Sequence, residues 1–101
     1  MRAREVQRVY REGKPLRGKR VVLWLAPGAG GYAVIAARRV GGAVQRNRAR
    51  RILREAWREV SPRAAVEASD AVLVAREAIL GATTHDLVAE MDQLLGAART
   101  A

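Results

Sequence analysis

The segment from Ala43 to Val60 restricts the fold more than any other. Ala49, Ile52, Leu53, Ala56, Trp57 and Val60 follow one another at i, i+3, i+4, i+7, i+8 and i+11, the spacing of one apolar helix face. At about 100° per residue, Arg50, Arg54, Asn47, Arg58, Arg51 and Arg48 gather on the opposite arc, with Arg46 at its boundary. Any fold must therefore bury one side of this helix in a core and leave the other to water or to a negatively charged partner. Ser61-Pro62 is expected to end the helix, because the residue before proline avoids the helical region.

A solvated helix face usually alternates acidic and basic residues at i, i+4. Here only Glu55 and Glu59 interrupt the arginines. Each like-charge pair at that spacing costs roughly 0.2–0.5 kcal/mol, so the pattern favours a nucleic-acid face over a solvated one. The whole chain agrees: 19 basic against 10 acidic residues give a net charge of +9, and 17 of the 19 are arginine, whose planar fork suits phosphate. The charge is also segregated. Residues 1–37 hold 8 basic and 2 acidic, 38–63 hold 9 and 2, and 64–101 hold 2 and 6. Gly41-Gly42, just before the helix, permits close backbone approach to a phosphate at the positive helix end.

The remaining segments predict a mixed fold. Ala3, Val6, Val9 and Tyr10 suggest a short helix from Ala3 to Arg11, stopped by Gly13 and Pro15. Val21 to Ala26 reads as a strand, Pro27-Gly28-Ala29-Gly30-Gly31 as a hairpin loop, and Tyr32 to Ala37 as the return strand. Alternation puts Val21, Leu23 and Leu25 on one face and Val22, Trp24 and Ala26 on the other, so both faces are expected to be at least partly covered. Ala71 to Ala75 is a further buried strand. Thr83-Thr84-His85-Asp86 resembles a capping signal before Leu87, Val88, Met91, Leu94 and Leu95. The order is helix, strand, strand, helix, strand, helix: an α+β arrangement read as one domain over residues 1–101.

Little in the chain points to protein-borne catalysis. There is no cysteine, which removes thiolate metal sites and cysteine nucleophiles. His85 stands alone and reads as a capping or surface residue. Asp70, Glu77, Asp86, Glu90 and Asp92 show no paired-carboxylate spacing and read as a solvated face. The 28–31 glycine segment lacks the Lys-Ser/Thr ending of a phosphate loop. Neither catalytic nor metal-ligating residues are expected. Met1 to Glu5 has no apolar signal region, and the longest apolar run, Val21 to Pro27, is far short of a membrane span, so a cytoplasmic location is expected.

The stretch from Arg38 to Glu55, Arg38-Arg39-Val40-Gly41-Gly42-Ala43-Val44-Gln45-Arg46-Asn47-Arg48-Ala49-Arg50-Arg51-Ile52-Leu53-Arg54-Glu55, resembles the signature of the bacterial ribonuclease P protein component. That signature runs basic-basic, small apolar, Gly, any, Ala-Val, any, Arg-Asn-Arg, any, basic-Arg, two apolar, Arg-Glu, and every element is present. Val6 to Lys14 is similar to the family's first helix and Val21 to Leu25 to its first long strand. Val6 replaces the family's usual Phe, Ala33 stands where Gly is often found, and Arg50 where Lys is common.

The resemblance implies an α/β (α+β) sandwich, ribosomal-protein-S5-domain-2-like, in the order α-β-β-β-α-β-α with a left-handed βαβ crossover. It implies that the chain is the non-catalytic protein subunit of an endoribonuclease whose RNA subunit hydrolyses the phosphodiester bond, with Mg²⁺ held mainly by that RNA. Arg46, Asn47, Arg48, Arg50, Arg51 and Arg54 would face ribonuclease P RNA. Arg38 and Arg39, which open the signature, and Arg58, one turn past Arg54, are expected to extend the RNA-binding track. A cleft lined by Val6, Tyr10, Val22 and Trp24 would take the single-stranded 5′ leader of precursor tRNA, with Tyr10 and Trp24 able to stack on bases of any sequence. Trp57, on the apolar arc, is expected in the core. The protein itself is expected to be monomeric. The alternatives are a structural RNA-binding protein of ribosomal type and a DNA-binding module, the latter lacking a helix-turn-helix partner or zipper seam.

Overall fold

A computed structural model describes residues 1–64, 66 and 68–100. Its elements are α1 (Ala3–Glu12), β1 (Lys14–Arg17), β2 (Val21–Pro27), β3 (Tyr32–Ile35), α2 (Ala43–Arg63), β4 (Ser69–Ala75) and α3 (Thr84–Thr100), with 3-10 turns at Arg38–Val40 and Glu77–Ile79. The strands form one sheet in the order β1-β2-β4-β3.

This order corrects the hairpin reading of residues 28–31. β2 is antiparallel to β1 on one side and to β4 on the other, so β3 cannot pair with it and instead runs parallel to β4. The glycine segment carries the chain past the start of β4, where Gly28 N–H donates to the Ala68 carbonyl at 2.9 Å and Ala71 N–H to the Gly31 carbonyl at 2.9 Å. A strand apolar on both faces does not reveal which neighbour lies beside it, and here the neighbour comes from about forty residues later.

The α-β-β-β-α-β-α order that the resemblance implied holds, while three details differ from the reading of the residue pattern. β1 occupies the region read as a break: Pro15 sits opposite Trp24 on an edge strand, where a missing N–H is tolerated. β3 ends at Ile35 rather than Ala37. α2 runs through Ser61-Pro62 to Arg63, because a proline in the last turn removes a single bond, and the Ala64 N–H still reaches the Val60 carbonyl at 3.0 Å.

The main core lies on one sheet face. Val21, Leu23, Ala71, Leu73 and Ala75 meet Ala49, Ile52, Leu53, Ala56, Trp57 and Val60 of α2 and Leu87, Val88, Met91 and Leu95 of α3, all buried. Trp57 is a core residue, as its place in the periodicity predicts. The crossover from β3 to parallel β4 passes through α2, so the helix that closes the core also carries the arginine arc outward.

The opposite face is covered at one end only. α1 lays Val9 against Ala26 and Val72, all buried, while Val6, Tyr10, Trp24, Ile35 and Val74 are partly buried around them. Register puts Val22 beside Val74 and Val74 beside Ile35, so an apolar strip continues past α1 toward the end of the sheet where β2 begins and β4 ends.

Candidate nucleic-acid interface

The four residues expected to line a cleft share this half-open face. Val6 and Tyr10 descend from α1 and Trp24 rises from β2, all in one small cluster. Val22, two residues along β2, shares the face by alternation and is half-buried without belonging to that cluster. The Tyr10 and Trp24 rings meet edge to face, with centroids 5.1 Å apart and planes at 73°, a preferred aromatic geometry. Burial pushes the Tyr10 hydroxyl pKa above its ordinary value, so it remains a neutral donor throughout the physiological range.

Cations gather at the end of the sheet where β2 begins and β4 ends. Lys19 on the β1–β2 turn, Arg39 before α2 and Arg76 after β4 line one depression together with Glu77 and Ala78. Two bonds fix this end: Arg76 N–H donates to the Arg20 carbonyl at 2.9 Å and the Arg76 guanidinium to the Gly18 carbonyl at 3.0 Å. Arg38 and Arg39 are exposed on the 3-10 turn, held from below by buried Val40.

The arginine arc of α2 begins at the same end. Asn47, Arg51 and Arg58 are exposed, while Arg46, Arg50 and Arg54 are half-buried. Arg50 donates to the Asn47 side chain, tying two members of the arc together. Arg48 differs from the rest, since its guanidinium donates to the Ala82 carbonyl at 2.6 Å, bracing α2 against the turn that leads into α3. The double glycine has a local reason. Gly41 has φ of +155°, and a Cβ there would lie 2.6 Å from the Gln45 Oε1, the atom that accepts the Gly42 N–H.

The acidic residues of the C-terminal third do not form one solvated face, which corrects that reading. Asp70 is buried, and its carboxylate accepts from Arg8 of α1 and from the N–H groups of Ala29 and Gly31 at 3.2 and 2.9 Å. Gly28 is required beside it, because a Cβ there would fall 2.2 Å from the carboxylate. Glu90 of α3 accepts the N–H groups of Arg20 and Val21 at 2.9 and 3.1 Å and the Arg20 guanidinium at 3.2 Å. A lone acid before a strand, or one on the polar side of a helix, carries no signal of such a distant partner. Asp86 does what its sequence setting predicts: it accepts the Thr83 N–H at 2.9 Å while donating its own N–H to the Thr83 hydroxyl at 3.2 Å, a capping box. His85 is exposed. Among the described residues, no group of three or more His, Cys, Asp or Glu side chains is placed to hold a metal ion, and no helix is long and apolar enough to cross a membrane.

Fold and site thus define a basic α+β protein that packs a cationic helix on one face of a four-stranded sheet and leaves an apolar strip half covered on the other. Residues 1–99 match the family described as Ribonuclease P. The ribonuclease P protein component of Caldanaerobacter subterraneus subsp. tengcongensis is 31% identical over 99 residues, covering 93% of this chain and 83% of that one. That of Coprothermobacter proteolyticus is 47% identical over 53 residues, 52% of this chain but 44% of its own length, so this match spans under half of the relative. Two solved structures share the fold. The ribonuclease P protein of Thermotoga maritima superimposes with a TM-score of 0.79 at 20% identity, covering 94% of this chain and 93% of that one. That of Staphylococcus aureus gives 0.78 at 20% identity, covering 97% and 92%. The chain belongs to the ribonuclease P protein family. These findings support the ribonuclease P reading of the sequence and lend none to the ribosomal-type alternative.

Proposed function

We propose that this chain, as one domain, acts as the protein subunit of ribonuclease P: it binds the catalytic RNA through α2 and the 5′ leader of precursor tRNA on the half-open sheet face, and so promotes endonucleolytic removal of the leader to give the mature tRNA 5′ end. The observation that carries the leader assignment is the Tyr10–Trp24 ring pair on the half-covered apolar sheet face, with Lys19, Arg39 and Arg76 gathered at the end of the sheet where β2 begins. Unpaired bases stack on aromatic and apolar surface with little sequence preference, and the flanking cations suit the phosphates between them.

The chemistry is the RNA's. Mg²⁺, held mainly by the RNA subunit, supplies activation of water for phosphodiester hydrolysis, and the described part of this chain offers no donor cluster for it. The chain's own contribution is positional and electrostatic. Arg46, Asn47, Arg50, Arg51, Arg54 and Arg58, continued by Arg38 and Arg39, neutralise phosphate repulsion, and Arg48 divides its donors between Ala82 and the RNA. Its benefit is then largest at low salt and low Mg²⁺, where repulsion is least screened. The protein works in the cytoplasm and as a monomer.

The test compares precursor tRNAs with an eight-nucleotide and a one-nucleotide leader, each binding to the assembled holoenzyme. The proposal requires this protein to strengthen binding of the long-leader substrate selectively. Equal strengthening of both substrates contradicts the leader assignment.

A further inference from the structure

Among the described residues, the exposed large apolar side chains are Met1, Val44 and Leu80, and Val44, at 82% exposure, is the most open. Val44 and Leu80 come from different parts of the chain, the first turn of α2 and the turn before α3, yet both border Arg48. Val44 lines one shallow, mainly apolar depression with Asn47, Arg48 and Arg51. Leu80 lines a second with Gln45, Arg48, Ala49, Ile79 and Gly81. Arg48 therefore stands as the ridge between two apolar hollows, and its bond to the Ala82 carbonyl keeps it there.

We propose that these hollows are paired sockets for unpaired nucleobases of the RNA that α2 faces, an inference that rests on the reading of α2 as the RNA-binding helix. Neither lining contains an acidic residue, while Arg48 and Arg51 border the hollows with fixed positive charge. An apolar protein surface docked here would trap those guanidinium groups without counter-charge. RNA meets both needs, with phosphates for the arginines and base faces for Val44 and Leu80. In an A-form helix the bases lie within the stack and the major groove is too narrow for side chains, so only bases turned out of a helix can enter the hollows.

The experiment measures equilibrium binding of the full chain to in vitro transcribed bacterial ribonuclease P RNA across a salt series, and to a fully paired RNA duplex. Wild type is compared with Val44→Ala/Leu80→Ala, with the near-isosteric Val44→Thr and with Arg51→Ala, each checked for an unchanged melting temperature. Removing apolar contact weakens ribonuclease P RNA binding by about tenfold in the double variant, less in Val44→Thr, at every salt concentration. Its log K against log salt line stays parallel to wild type, and duplex binding is unchanged. Arg51→Ala instead flattens the slope by about one ion. Unchanged affinity in the double variant overturns the sockets, including the case in which sedimentation shows that the variant only breaks a dimer. Equal loss on duplex and ribonuclease P RNA overturns the claim of unpaired bases. A wild-type chain that binds ribonuclease P RNA no better than duplex overturns both this inference and the function it rests on.

Discussion

Arg8 of α1 and Asp70 of β4, sixty-two positions apart, form an ion pair that locks the first helix onto the sheet. The same carboxylate accepts two loop N–H groups, so one side chain fixes α1, the β2–β3 connection and the start of β4. Removing it leaves two N–H groups short of an acceptor and the Arg8 guanidinium with only Glu12 and the Pro27 carbonyl. Asp70→Ala is expected to destabilise the chain by about 2–4 kcal/mol, read as a lower urea midpoint. If α1 is loosened, long-leader binding falls further than ribonuclease P RNA binding does. A variant as stable as wild type contradicts the role given to this pair.

Tyr10→Ala and Trp24→Ala should each weaken long-leader precursor tRNA binding by about 1–3 kcal/mol and leave the one-nucleotide-leader substrate unaffected. Because the two rings touch, the double variant should lose less than the two single losses combined. Full additivity in a double-mutant cycle argues that the rings act separately.

The Glu90 carboxylate holds the start of β2 to α3 through two backbone N–H groups and Arg20. Glu90→Ala leaves those N–H groups without that partner and is expected to cost about 1–3 kcal/mol. Hydrogen exchange at Arg20 and Val21 should accelerate, and unchanged protection there would show that water replaces the carboxylate at no cost.

Acid should remove the α3 cap. The Thr83 N–H, then the Thr83 hydroxyl, hold the Asp86 carboxyl below the usual carboxylate range, and Arg20 and His85 add to the effect. With a folded-state pKa below the unfolded value of about 3.9, the contribution is fully present above that value and is lost as pH falls through the lower folded one. Melting temperature from pH 7 to pH 2 should therefore fall less steeply below pH 4 in Asp86→Ala than in wild type. Identical acid limbs contradict the assignment.

What the sequence disclosed follows from where its signals are local. The arc of α2, the buried Trp57 and the Thr83–Asp86 cap each depend on spacings within one element, and the structure holds them as expected. Neighbour choice in the sheet depends on contacts between distant segments, so β4's insertion between β2 and β3 was not legible, nor were the partners of Asp70 and Glu90. Pro15 misled because a strand-breaking residue is harmless on an edge. Alternation along β2 did place Val22 and Trp24 on one face, but that α1 would leave half of it open depends on the short reach of a ten-residue helix.

The decisive experiment on the proposed function is precursor-tRNA cleavage with a bacterial ribonuclease P RNA at low Mg²⁺, with and without this chain and with an Arg46→Ala/Arg51→Ala/Arg54→Ala variant. These three are chosen because Arg48 also braces Ala82. The proposed function requires that wild type stimulate cleavage at the correct 5′ end, that the variant fold but not stimulate, and that raising Mg²⁺ erode the difference. Cleavage unaffected by a wild-type chain that nevertheless binds the RNA would contradict it.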